Sequence, residues 1–118
     1  MASGWIRITA AENIPPREGR AVKLGNVEVA IFNLGGRFVA LENRCPHRGG
    51  PLADGIVSSQ GDVVTVTCPL HNWRISVESG RVVKPGGEAA ACLRTFEVDV
   101  VDGIVTVRAD QDERQAAA

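Results

Sequence analysis

Glycine and proline interrupt this chain so often that no long regular element can form in it. Thirteen Gly and six Pro are spread along 118 residues, and no window between them carries a sustained apolar helical period. What stands between the breakers is short and rich in β-branched residues. Val27, Val29 and Ile31 interleave with Glu28, Ala30 and Phe32 in a mostly apolar run ending at Gly35-Gly36. Arg37-Phe38-Val39-Ala40-Leu41 resumes the pattern, which predicts a hairpin. Val63-Val64-Thr65-Val66-Thr67 is another such run. From Arg94 to Val101, Phe96, Val98 and Val100 alternate with Glu97 and Asp99. Asp102-Gly103 then turns the chain into Ile104-Val105-Thr106-Val107, a second hairpin. Trp5 opens a strand and is expected in the core. Short strands with frequent turns define an all-β fold, an antiparallel sandwich or barrel.

The length suits one domain, expected over residues 1–108. Ala109 to Ala118 contains no large apolar residue and reads as a flexible tail. Thirteen Lys and Arg against fourteen Asp and Glu leave a net charge of -1, so no basic field points to nucleic acid. No apolar run approaches the roughly 18 residues that cross a bilayer. The first residues carry Arg and Glu where a signal peptide needs an apolar stretch. Three cysteines are too few for a disulfide scaffold. A cytoplasmic location is expected, with no nucleic-acid and no membrane partner.

Two segments resist the strand reading, Asn43 to Gly55 and Cys68 to Asn72, and both contain Cys and His. The chain has two histidines, and each stands beside a cysteine: Cys45-Pro46-His47 and Cys68-Pro69-Leu70-His71. This is C-x-H, twenty residues, then C-x-x-H. A free cysteine is commonly a small buried hydrophobe. That explanation does not account for two pairs that each place proline after Cys and together use every histidine. A catalytic Cys–His dyad would not explain the repetition either. A metal site does. Zinc accepts two Cys and two His, but it usually stabilises domains too small to bury a core. A [2Fe–2S] cluster with two thiolates on one iron and two imidazoles on the other suits the alternation better, since each loop then supplies one of each.

Cys-Pro-His-Arg-Gly-Gly-Pro-Leu followed by Cys-Pro-Leu-His resembles the Rieske [2Fe–2S] domain, over nearly the whole chain from about Trp5 to Val107. The resemblance implies an antiparallel β-sandwich with one cluster per chain at a loop-built tip. It also implies Cys45, His47, Cys68 and His71 as ligands. Ala40-Leu41-Glu42-Asn43-Arg44, Cys68-Pro69-Leu70-His71-Asn72-Trp73 and Ala91-Cys92-Leu93-Arg94-Thr95-Phe96 narrow it to the small subunit of assimilatory NAD(P)H nitrite reductase. High-potential relatives resemble C-x-H-x-x-C with C-x-C-H, plus a serine and a tyrosine near the cluster. Here Gly50, Leu70 and Trp73 occupy the corresponding positions, and the chain contains no tyrosine. A low-potential centre without the loop-tying disulfide is therefore implied, near the lower end of the roughly -150 to +300 mV that Rieske centres span.

Histidine ligation makes the oxidised cluster formally neutral and the reduced cluster singly negative, which raises the potential above that of a four-thiolate centre. Such a protein relays electrons and breaks no substrate bond itself. No Gly-x-Gly-x-x-Gly follows a strand, so NAD(P)H, flavin and sirohaem belong on a larger reductase subunit as partner. The alternatives are a Rieske ferredoxin serving an aromatic-ring dioxygenase and, from a different class, a zinc-stabilised or metal-free β scaffold. Cys92 is expected as a buried or half-buried thiol and Trp73 as a shield over the cluster. Pro85-Gly86-Gly87 is expected to turn near the cluster loops. Pro46, Gly49, Gly50, Pro51 and Leu70, with Arg48 at the rim, are the expected docking patch.

Overall fold

The computed structural model describes residues 5–43, 51–60, 63–68, 73–84 and 93–108. Eleven strands run in order: β1 (Trp5–Ala10), β2 (Gly19–Leu24), β3 (Val27–Asn33), β4 (Phe38–Glu42), β5 (Ile56–Gln60), β6 (Val63–Thr67), β7 (Arg74–Ser76), β8 (Val82–Lys84), β9 (Thr95–Phe96), β10 (Val98–Val101) and β11 (Ile104–Arg108). Two single 3-10 turns, Ala11–Asn13 and Leu52–Asp54, are the only helical pieces among the described residues. The strands form three sheets, β1-β11-β10, β2-β3-β4-β9 and β5-β6-β7-β8. Every strand pair is antiparallel, as the all-β expectation requires.

The mostly apolar reading of β3 has a structural cause. Val29, Ala30, Ile31 and Phe32 are all fully buried. Successive side chains of a strand point to opposite faces, and here both faces are covered. Ala30 and Phe32 join Leu41, Leu52, Val57, Val66, Ile75 and Val77 in a core under the β5–β8 sheet. Val29 and Ile31 join Ile14, Ala40, Phe96, Val105 and Val107 in a second core under the β1-β11-β10 sheet. The sheet containing β3 is therefore the middle layer, and a strand buried on both faces loses the polar alternation of a half-exposed one.

Both hairpins expected from the sequence are present. Asn33 pairs with Phe38 across the Gly35-Gly36 turn, and Val101 pairs with Ile104 across Asp102-Gly103. Asp102 and Gly103 have φ of 53° and 77°, the left-handed pair that a two-residue turn between antiparallel strands needs.

Two expectations are corrected. The alternating run from Arg94 to Val101 is not one strand. Thr95 and Phe96 pair with β4 in the middle sheet, while Val98 to Val101 pair with β11 in the outer sheet. Glu97 is the crossing point, held where its carbonyl accepts the Arg108 N–H at 2.9 Å. Phe96 and Val98 both pack on the second core, so the alternation runs through the change of partner, although Val100 at the end of the run is 40% exposed. Trp5 does open β1 but is not core: it is 36% exposed. It lies opposite Arg108, whereas the core-facing positions of β11 are Val105 and Val107.

Since adjacent residues of β3 serve separate cores, Ile31→Ala and Phe32→Ala should each cost about 2–5 kcal/mol. Urea denaturation midpoints of the two variants check this; a loss below about 1 kcal/mol in either would mean that its core is not closed.

Candidate metal centre

A single register row brings together strand ends that flank the two Cys/His segments. Across the β5–β8 sheet, Ile56 lies opposite Thr67, Thr67 opposite Arg74, and Arg74 opposite Lys84. The described chain beyond that row comprises residues 51–55 and Cys68 with Trp73. Residues 44–50, 69–72 and 85–92 lie outside the described residues; of their described flanks, Asn43, residues 51–55, Cys68 and Trp73 are linked to one another by close contacts here, whereas Leu93 is bonded to Gly80 in the turn after β7.

Hydrogen bonds tie these flanks together. Asn43 follows β4, and its side-chain Oδ1 accepts the Ala53 N–H at 2.7 Å, bridging the two ends of the first segment. The Asn43 N–H itself donates to the Glu28 carbonyl at 2.8 Å, which fixes it to β3. Gly55 then passes so close to Thr67 that a Cβ would fall on the Thr67 carbonyl oxygen; only glycine lets the exit of the first segment touch the entry to the second. The second segment closes through the Cys68 N–H, which donates to the Trp73 carbonyl at 2.8 Å.

The third segment returns through Leu93 and Arg94. Leu93 N–H donates to the Gly80 carbonyl at 2.8 Å, and the Glu42 N–H donates to the Arg94 carbonyl at 3.0 Å. The Arg94 N–H in turn donates to Glu42 Oε1 at 3.1 Å. The Arg94 guanidinium lies 3.5 Å from Glu42 Oε2, both side chains being partly buried.

Of the expected ligands, Cys68 is described. It is a free thiol, fully buried at the end of β6 in the core that also holds Leu41, Leu52 and Leu93. Cys45, His47 and His71 lie outside the described residues, as do Cys92, the Pro85-Gly86-Gly87 turn and, from the docking patch, Pro46, Arg48, Gly49, Gly50 and Leu70. Among the described residues no three Cys, His, Asp or Glu side chains gather as a metal site. Trp73 is half-buried and packs against the core that contains Cys68. What is described fits an iron–sulfur centre: a soft sulfur donor, Cys68, stands at the end of β6, and the frame brings the flanks of the other ligand-bearing segment to it. Sequence reasoning gave no role to Glu42, Asn43 or Arg94. A polar Glu-Asn pair directly after a strand and before a Cys/His segment is the local signal for Asn43, but the Glu42–Arg94 pairing spans 52 positions and leaves no local trace.

Comparison with known proteins agrees with the geometry. The Rieske [2Fe–2S] domain model matches residues 4–97, and the chain belongs to that family, whose cofactor is a [2Fe–2S] cluster. A ferredoxin subunit of 3-phenylpropionate/cinnamic acid dioxygenase from Escherichia coli K12 is 33% identical over 102 residues, covering 86% of this chain and 92% of that one. The ferredoxin of carbazole 1,9a-dioxygenase from Nocardioides aromaticivorans has the same fold, with a TM-score of 0.79, 22% identity, and coverage of 91% of this chain and 99% of that one. A structure described as an NADH-dependent nitrite reductase small subunit from Mycobacterium tuberculosis matches with a TM-score of 0.78, 22% identity, and coverage of 87% and 92%. The chain is a Rieske electron-transfer domain. No helix among the described residues is long and apolar enough to cross a membrane.

Glu42→Ala removes the acceptor of the Arg94 N–H and should cost about 1–3 kcal/mol, whereas Glu42→Gln keeps an acceptor there and should cost less than half as much. Chemical denaturation of the two variants checks the order, and equal losses would assign the effect to charge rather than to the backbone donor.

Proposed function

We propose that this chain is the electron-carrying small subunit of an NAD(P)H-dependent nitrite reductase of nitrate assimilation. Cys45 and Cys68 would hold one iron of its cluster and His47 and His71 the other. One observation carries this reading. The stretches that narrow the resemblance, residues 40–44, 68–73 and 91–96, are far apart in sequence, yet Leu41, Cys68 and Leu93, one from each, pack in the same core. Glu42 is bonded to Arg94, Asn43 to Ala53, and Cys68 to Trp73. Residues that distinguish one branch of a family from another are informative when they surround the site, because there they shape the cofactor's surroundings and the surface offered to a partner.

The cluster, when bound, supplies a one-electron couple. The residues do the rest. Buried Cys68 provides a thiolate screened from solvent, and half-buried Trp73 limits water on that side. The Glu42–Arg94 and Asn43–Ala53 bonds hold the segment ends still, so that little rearrangement accompanies a change of charge. The larger partner would carry flavin, sirohaem and the nitrite site, and the complex would be cytoplasmic. Residues 1–108 would form the working domain and 109–118 its tail.

A second reading, a ferredoxin for an aromatic-ring dioxygenase, is favoured by the 33% identity to the E. coli dioxygenase ferredoxin subunit. Each reading predicts one productive partner. With a sirohaem reductase from the same genome, addition of this chain should raise NAD(P)H-dependent conversion of nitrite to ammonium severalfold. With a ring-hydroxylating oxygenase and its ferredoxin reductase, it should support no product. The reverse result would favour the second reading.

The ligand set makes a separate prediction. Cys45→Ser, His47→Ala, Cys68→Ser and His71→Ala should each lose the cluster, while Cys92→Ser should keep it. Iron and acid-labile sulfide analysis of the five purified variants reads this directly, and loss of iron in Cys92→Ser alone would overturn the assignment.

A further inference from the structure

Val105 and Val107 of β11 belong to the second core, so Thr106 between them points away from it, to the outer face of the β1-β11-β10 sheet. It is nevertheless only 7% exposed. Trp5, Arg7, Asp99 and Val101 stand around it and leave a hollow over its side chain. The Thr106 hydroxyl donates to the Asp99 carbonyl at 3.0 Å, so the floor has no donor left for a polar ligand. Charge is laid out across this face in one row. Arg7 lies opposite Thr106, and Thr106 opposite Asp99, giving a cation, a hydroxyl and an anion in sequence. Among the described residues neither Arg7 nor Asp99 has an ion-pair partner. The neighbouring row differs, because there Arg108 is paired with Glu97 at 2.9 Å. Trp5 on β1 and Val101 on β10 add exposed apolar surface on either side of the open row.

We propose that this face docks on the same face of a second copy of the chain, about a twofold axis parallel to β11 and passing over Thr106. Such an axis exchanges the two sides of the sheet without exchanging its ends. Each Arg7 then meets the partner's Asp99, and each Trp5 crosses to the β10 side of the opposite hollow. An isologous contact requires that residue i meets j while j meets i. A row that is positive at one end, neutral at its centre and negative at the other meets that requirement by itself. The same axis keeps the strands of the two sheets aligned, as sheets packed face to face prefer. Three strands about 4.8 Å apart and about five residues long cover well under the about 800 Å² per partner of a standard interface. The dimer is therefore weak and forms at high micromolar concentration. The β5–β8 sheet, on the far side of the middle sheet, stays open to a redox partner in both copies.

Sedimentation equilibrium of the full chain with its cluster, at concentrations up to about 1 mM, reads the dimerisation constant. Arg7→Asp sets acid against acid in both charge contacts, and Asp99→Arg sets base against base. Each should weaken dimerisation about tenfold or more. An equimolar mixture of these two variants should associate within about threefold of the parent, since every contact again joins opposite charges. Far-ultraviolet circular dichroism should stay parent-like in both, because Arg7 and Asp99 are exposed strand positions.

A parent that stays monomeric at every concentration would overturn the proposal. So would parent-like dimerisation of both single variants, which would put the contact on another face. A mixture that associates no better than its components would overturn the pairing of Arg7 with Asp99. Should either variant fail to fold, Val101→Lys takes its place, at a half-exposed position of the same face. A Val101→Lys dimer as tight as the parent's would overturn the proposal equally.

Discussion

The fold depends on burying both faces of one strand. β3 sends Ala30 and Phe32 to one core and Val29 and Ile31 to the other, so its register cannot slip by a single residue without exchanging the two sets. β2 and β4 pair with it along their lengths, and the outer sheets stack on the faces that this middle sheet defines. The positions of Asn43 at the end of β4 and of Cys68 at the end of β6 follow from that arrangement. Each lies just past a strand whose register is locked by packing. A site built at such strand ends inherits the rigidity of the layers beneath it.

Above the strand ends, the bonding changes in kind. The sheets are held by regular ladders, but the site end is held by individual bonds outside them: Asn43 to Ala53, Arg94 to Glu42 and Cys68 to Trp73. Buried backbone donors must find acceptors, and where no strand continues the acceptors are side chains or isolated carbonyls. Side-chain amides and carboxylates are therefore concentrated where the ladders stop. An electron-transfer centre gains from segment ends held in this way, since a rigid frame leaves less to reorganise when the charge changes.

Much of the architecture was legible because it rests on local chemistry. The hairpin at Asp102-Gly103 follows from backbone angles that few residue pairs tolerate, and the apolar run of β3 follows from burial on both faces. The [2Fe–2S] cofactor was legible for a similar reason: the types and separations of Cys and His are constrained by the metal they serve. Trp5 was misjudged because a tryptophan at the start of a strand reads as core on composition, while its exposure depends on whether another layer covers that face of β1. The run from Arg94 to Val101 was misjudged because alternation records the buried face and is silent on which neighbour a strand pairs with.

By itself, the sequence determined the class of the fold, the family and the chemical type of the centre, because turn residues, apolar periods and Cys/His spacing act through near neighbours. Only the tertiary structure decided that the β-rich chain divides into three sheets with two cores, that the strand breaks at Glu97 to change partners, and that Glu42, Asn43 and Arg94 clamp the ends of the site. Those outcomes are pairings across tens of residues. They are selected by which surfaces can be buried together and which buried donors must then be satisfied, and that choice is made by the whole chain at once.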